Sequence, residues 1–388
     1  MKVGIHTVDL FPGRERLMPF RTTLEVAEVM LSCGWQADVL NSSVSEYNAE
    51  DFTWHNINII QCPRDFNDLS EWINQRGYDV FIFAATIREG LRNLYAFRNI
   101  KCRKIAYIPS GITPKWNAFQ LFRYYGTLAK AWLLEAMTPK TLIASKLKKV
   151  GFTDIIGLTE YTTQKIGHSL STHTIYPGKD DFENIKVDED ILKSERLKGE
   201  KFYLFTGAPG QVRGSLLLLK AFDKFINKAR GLSAKPKIVF LMRNDVGAKY
   251  ESFFKTLDSL HNKDCVTVIC KNLSISQLKA FMSEAYAVIL PFICIPAEIP
   301  ITYYEVMSCG TPVISFNNAG TTKYLKKGLK TAGLVSISNL SKALLDLWIN
   351  EKEQIILARN ASEIMKKHPT WDKVGKQWMN VILNKQKK

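Results

Sequence analysis

The chain has 388 residues, 46% of them hydrophobic and 23% charged, with a formal net charge of +16. That length exceeds one ordinary core, so two domains are expected. No apolar run approaches the ~18 residues of a membrane-spanning helix, and the N-terminus has no signal-peptide pattern, so a cytoplasmic protein is expected.

In chain order, strand-like apolar runs alternate with amphipathic helical stretches. Residues 2–9 read as a strand and 21–33 as a helix closed by Gly34. Strands follow at 36–40, 57–61, 79–84, 104–108 and 155–158, with a helix near 67–76. The polar stretch 180–200 interrupts this series, which then restarts. Strands are expected at 201–206, 237–242, 265–269, 286–290 and 312–316, and helices at 215–229, 275–284 and 301–308. Repeated β-α-β alternation implies a parallel sheet covered by helices on both faces. The fold class is therefore α/β, with two doubly wound Rossmann-like domains facing across a cleft. The expected boundaries are 1–185 for the first domain, 186–200 for a linker, 201–366 for the second domain, and 367–388 for a closing helix.

Residues 1–190 hold 22 Lys/Arg and 22 Asp/Glu, so nearly all the positive excess lies in residues 191–388. Residues 101–150 depart from their own half, with ten Lys/Arg against Glu135 alone. Such a balance suits a polyanion, or simply a lysine-rich solvated surface. The seven cysteines show no C-x-x-C spacing and mostly sit in apolar runs, so they read as reduced, buried hydrophobes. His168 and His173 are five apart, off the i, i+4 register of a helical ligand pair.

Two segments carry candidate chemistry. Residues 206–214 (TGAPGQVRG) follow a strand and open a helix. A glycine-rich turn there offers free N–H groups and a positive dipole end, and Arg213 adds a charge; both suit phosphate. The alternative is an ordinary strand-to-helix turn. Residues 296–314 (PAEIPITYYEVMSCGTPVI) set Glu298 before a helix that starts at Pro300. Thr302 falls in its first turn and Glu305 one turn later. Carboxylates placed this way accept bonds from paired sugar hydroxyls. A leaving diphosphate would be stabilised by Arg213 and the helix dipole, so no metal is expected at the site. The alternatives are an ordinary helix residue for Glu305 and a solvated loop acid for Glu298.

These residues resemble a family, the family 4 retaining glycosyltransferases of the GT-B fold (glycosyl transferases group 1). Residues 298–314 are similar to its paired-glutamate motif, and 207–214 to its G-R-x-x-x-x-K-G turn. Pro12-Gly13, the Cys33-Gly34-Trp35 helix end, 175–182, 319–335 and 370–382 are similar to its other segments. The resemblance implies transfer of a hexose from a nucleotide diphosphate sugar, UDP- or GDP-linked, to an acceptor hydroxyl. It implies retained anomeric configuration and no cofactor. By position, Glu298 is implied as the catalytic contact with the donor sugar. Gly13, Gly207, Arg213, Gly214, Pro300, Ile301, Thr302 and Glu305 are implied on the donor, with Arg243 as an added cation. His6 and Arg14, at the expected cleft edge, are candidate acceptor contacts. The chain departs from the pattern in four places. Ala297 holds the strict position eight before Glu305, Ala208 stands where the family has an arginine, Lys323 lies near a missing glutamate, and 107–113 lack a histidine. Arg243 or a lysine of 323–330 is expected to replace the lost charge. The departures keep open a second reading, a weak or inactive GT-B protein that binds a sugar nucleotide.

Asp188-Glu189-Asp190 has the D-x-D form of metal-dependent transferases, but helix N-terminal acids explain it better. Residues 115–149 mix Trp116, Phe119, Phe122, Tyr124, Tyr125 and Trp132 with Arg123, Lys130, Lys146, Lys148 and Lys149. That mixture suits peripheral contact with the inner face of an anionic membrane and a lipid-linked glycan acceptor. It also suits stacked single-stranded nucleic acid, or a core helix pair with lysines outside. No base-reading motif is visible, so nucleic acid ranks last.

Overall fold

The computed structural model describes residues 1–18, 20–43, 50–85, 94–167, 169–210, 212–229, 231, 235–243 and 250–384. His168 lies outside them. The first domain holds strands β1 (Lys2–Val8), β2 (Gln36–Ser42), β3 (Phe52–Trp54), β4 (Ile57–Gln61), β5 (Val80–Ala84), β6 (Arg103–Ile108), β7 (Phe152–Gly157) and β8 (Ser171–Thr174). Its helices are α1 (Phe20–Ser32), α2 (Phe66–Arg76), α3 (Lys115–Tyr125), α4 (Lys130–Met137), α5 (Thr141–Lys149) and α6 (Glu160–Ile166). The strands form one sheet in the order β3-β4-β2-β1-β5-β6-β7-β8, parallel except for the β3–β4 pair.

The second domain begins with α7 (Asp190–Ser194) and has strands β9 (Phe202–Thr206), β10 (Lys237–Met242), β11 (Val266–Cys270), β12 (Ala287–Ile289), β13 (Val313–Ser315) and β14 (Leu329–Thr331). Its sheet runs β11-β10-β9-β12-β13-β14, all parallel. Helices α8 (Ser215–Lys228), α9 (Glu251–Asp258), α10 (Ile275–Glu284), α11 (Ile301–Ser308), α12 (Ala319–Leu325), α13 (Ile337–Ile349) and α14 (Glu351–Lys367) accompany it. The continuous apolar runs of β5 and β10 are buried almost throughout, as strands covered on both faces require. The last helix, α15 (Trp371–Leu383), returns to the first domain and packs Trp378 and Val374 into its core with α1.

The polar stretch 186–200 is not a free linker. Leu192 and Leu197, with Phe182 before them, are buried in the core of the second domain. The chain therefore crosses between domains near 175–182, since Ile175 still belongs to the first core. Within the stretch, Asp188 accepts a bond from the Asp190 amide and Asp190 pairs with Lys193. All seven cysteines are free, but Cys33 and Cys270 are exposed rather than buried.

The helices α3 and α4 behave unlike the rest of the first domain. Their inner residues Ala118, Leu121, Trp132 and Ala136 join the same apolar cluster as Phe316, Ala332 and Val335 of the second domain. Asn117 donates to the Asn317 carbonyl and to the Asn318 side chain across the same seam. The core-helix reading of 115–149 thus holds for one face only: α3 and α4 join the core of the other domain, while Ile143, Ala144 and Leu147 of α5 join that of the first.

Candidate active site

Strand order reverses at the middle of each sheet. β1 lies between β2 and β5, and β9 lies between β10 and β12. Loops leaving the carboxyl end of such a strand diverge and open a crevice. The loop after β1 and the turn after β9 both line one interdomain cavity of about 420 Å3.

From the second domain, Thr206, Gly207 and Arg213 line this cavity. Gly207 has φ of 126°, and a Cβ there would overlap the Arg213 guanidinium. The bare backbone is what lets Arg213 lie across the turn, with its guanidinium carbon 6.0 Å from the Phe292 ring centre. Gly214 caps α8 at φ of 70° and is pressed against the Pro291 carbonyl, so it shapes the turn and does not line the cavity. Arg243 lines the cavity, whereas Lys323, Lys326, Lys327 and Lys330 do not, and Lys330 is engaged with Glu353 at 2.6 Å. The lysine alternative for the charge missing at Ala208 is therefore set aside.

The helix α11 supplies another part of the wall. Pro300 takes its N-cap, and Pro300, Ile301, Thr302 and Glu305 all line the cavity. The Ile301 and Thr302 amides, the first two of the helix, have no acceptor inside it, while the Tyr303 amide donates to the Pro300 carbonyl. Burial pushes the Glu305 carboxyl up to about 7; Asp180 pushes the same way, while Arg16, Arg243 and Arg21 oppose it. A carboxyl held there titrates near neutrality and can accept or donate to hydroxyls. Leu273, Ile275 and Leu278 form an apolar flank.

Four contributors from outside the second sheet had no sequence signal of their own. Arg16, Leu17, Met18 and Arg21, from the loop and helix after β1, line the cavity in place of Gly13. The Gly13 amide is already donated to the Glu15 carboxylate at 2.8 Å, which turns that loop away from the cavity at Gly13. Arg14 reaches back to the Asp9 carbonyl and stacks on Phe11. His6 is buried, with Nε2 3.0 Å from Ser42 Oγ and its ring stacked on Phe83 at 5.1 Å. Burial lowers its pKa to about 4, so it stays neutral. Neither His6 nor Arg14 is among the residues that line the cavity.

Glu298 is placed differently from Glu305. Ala297 lines the cavity and Glu298 does not. The turn before α11, with Ile299 at φ of 54°, aims the Glu298 side chain at the first domain. Its Oε1 accepts from Thr159 Oγ1 at 2.7 Å and Thr162 Oγ1 at 3.0 Å, and its amide donates to the Pro109 carbonyl at 2.9 Å. Gly111 and Gly320 lie against it on either side, where a Cβ would meet its carboxyl or stem. Oε2 is buried without a hydrogen-bond partner, beside a small crevice lined by Gly111, Thr113 and Thr321. Burial raises its pKa to about 7, against the two threonine bonds that lower it. Among the described residues, no group of three or more His, Cys, Asp and Glu is placed to hold a metal.

Comparison with known proteins agrees with this architecture. Residues 187–367, most of the second domain, match the family model of glycosyl transferases group 1. A comparison with curated protein sequences gives no match. Among solved structures, sucrose-phosphate synthase from Thermosynechococcus elongatus superposes with a TM-score of 0.75 at 13% identity, covering 98% of both chains. Anabaena HepE in complex with UDP superposes at 0.69 and 13% identity, covering 98% of this chain and 99% of the other. WaaG, a glycosyltransferase of lipopolysaccharide biosynthesis, superposes at 0.67 and 13% identity, covering 99% and 100%. These likenesses establish the GT-B fold.

Proposed function

We propose that this GT-B glycosyltransferase moves a sugar from a UDP- or GDP-linked donor to an acceptor hydroxyl, with retention and without a metal. The observation that carries this reading is the cavity at the two switch points, which Arg213 and Glu305 both line. In it, the diphosphate lies on Arg213 and the first turn of α11, where guanidinium and helix dipole offset its charge. Glu305 accepts the ribose hydroxyls, and Leu273, Ile275 and Leu278 flank the base. In the reaction the bond from the sugar to the β-phosphate oxygen breaks and the acceptor oxygen bonds to the anomeric carbon. The acceptor proton leaves with the diphosphate. Arg213 then holds more charge than in the ground state, which is where catalysis gains. Glu298 follows Ala297 of the cavity wall and is the candidate contact for the donor sugar. The HepE structures with UDP and with UDP-glucose support a donor of this class.

The second reading is a GT-B protein that binds a sugar nucleotide and transfers weakly or not at all. Ala297 on the cavity wall, where the family has a carboxylate, favours it. Turnover by the purified protein separates the two readings.

For the acceptor we propose a glycan or lipid-linked glycan met by a cytoplasmic protein at the inner face of the membrane. No helix among the described residues is long and apolar enough to cross a membrane. The outer face of α3–α5 exposes Trp116 (43%), Phe119 (49%), Leu134 (59%) and Met137 (59%). Around them lie Lys115, Arg123 and Lys130, while the acid of the segment, Glu135, is buried. Apolar tips within a cationic field favour anionic headgroups, each nearby lysine or arginine adding about 1 kcal/mol. The full chain is expected to sediment with phosphatidylglycerol vesicles, less so as salt rises, and not with phosphatidylcholine vesicles. Loss of that binding in Trp116→Ala/Phe119→Ala supports the surface. Equal sedimentation of wild type and this variant would remove it.

A further inference from the structure

We propose that Arg16 holds the donor diphosphate from the first domain, so that the phosphates are clamped by one arginine from each switch-point loop. This rests on the nucleotide diphosphate reading given above. The turn after β9 runs Gly207-Ala-Pro-Gly-Gln-Val-Arg213 and so offers one cation, while a diphosphate presents charge on both phosphates. The remaining charge has to be met by another wall of the same cavity.

Three other arginines line it: Arg16, Arg21 and Arg243. Arg21 is occupied, with Glu25 at 2.5 Å and Asp180 at 3.0 Å from its guanidinium. Arg243 follows β10, one strand outward from the switch point, and replaces from the second domain the charge missing at Ala208. Arg16 differs from both. It lies on the loop that leaves β1, as Arg213 lies on the turn that leaves β9. It is exposed and enters no ion pair among the described residues. Its charge nevertheless reaches Glu305 across the cleft. The turn that carries it is held by the Leu17 amide on the Arg14 carbonyl and the Arg21 amide on the Leu17 carbonyl. Gly13, the backbone donor expected in this loop, has its amide on Glu15 and leaves the phosphate to the Arg16 side chain.

Titration calorimetry of the full chain with UDP, UMP, GDP and GMP tests this. Arg16→Ala is expected to weaken the better diphosphate about 10- to 100-fold, the size of a lost charge-assisted bond. The matching monophosphate should change far less, and Arg16→Lys should keep part of the diphosphate affinity. Unchanged melting of Arg16→Ala shows that the fold is intact. If Arg16→Ala binds the diphosphate like wild type while Arg213→Ala does not, the clamp is wrong and the donor reading stands. Equal weakening of mono- and diphosphate also overturns it, because Arg16 would then act on the nucleoside. If wild type binds neither diphosphate, the donor reading fails and the clamp with it.

Discussion

Arg213→Ala is expected to weaken UDP or GDP binding about 10- to 100-fold while leaving the fold intact. The guanidinium lies on the bare backbone of Gly207 and faces the cavity, so its truncation removes charge rather than core packing. A hydrogen bond to a charged group contributes about 1.5–3 kcal/mol, and each 1.4 kcal/mol is tenfold in affinity. Turnover should fall further than affinity, since charge on the leaving diphosphate grows in the transition state. Arg213→Lys should recover part of the binding and less of the rate, because an ammonium lacks the planar fork. Wild-type diphosphate affinity in Arg213→Ala would displace this residue from the site.

The second large effect concerns Glu298, whose position separates stability from binding. Glu298→Ala leaves the Thr159 and Thr162 hydroxyls without their acceptor in a buried seam between domains. Orphaned buried groups cost about 1–3 kcal/mol, so the melting temperature should drop by several degrees. Diphosphate affinity should hardly change, because Glu298 does not line the donor cavity. Transfer should be lost, because Glu298 is the proposed contact for the donor sugar; full turnover in this variant would falsify that role.

The pH dependence has a definite sign. Burial raises the folded pKa of Glu298 from 4.5 to about 7. Its stabilising contribution is therefore complete below about 4.5 and lost as pH rises through about 7, where the folded state must carry a buried charge. Glu298→Gln stays neutral throughout. Its melting temperature should match wild type near pH 4.5 and exceed it increasingly up to pH 8. Glu305 and Glu25 shift in the same direction, so the difference between variant and wild type isolates Glu298.

The frame was legible because its strands are buried on both faces and read as unbroken apolar runs. β4 and β10 fall where the runs at 57–61 and 237–242 end. The strands that escaped notice were β3, β8 and β14, three or four residues long and mostly not fully buried. Such edges lack the burial that writes an apolar signature. Along the site, Arg213 and Glu305 were legible because each belongs to a strand-turn-helix unit with its own glycine or proline punctuation. Arg16 and Arg21 were not, since a loop with Arg14, Glu15 and Arg16 in succession does not say which side chain turns inward. Glu298 was legible as a residue but not as a direction. The single-residue shift against Ala297, with the left-handed turn at Ile299, exchanges a cavity wall for a domain seam. The α3–α4 pair hid its partner for a related reason: its apolar face is evident in sequence, but nothing local says that the core it completes belongs to the other domain.

The most direct measurement is nucleoside diphosphate release by the full chain in a panel of UDP- and GDP-sugars, beside Arg213→Ala. One donor is expected to bind and to be turned over slowly in water, faster with a suitable acceptor, with both lost in the variant. A wild-type protein that neither binds nor turns over any nucleotide sugar would contradict the assignment of the cavity to a donor.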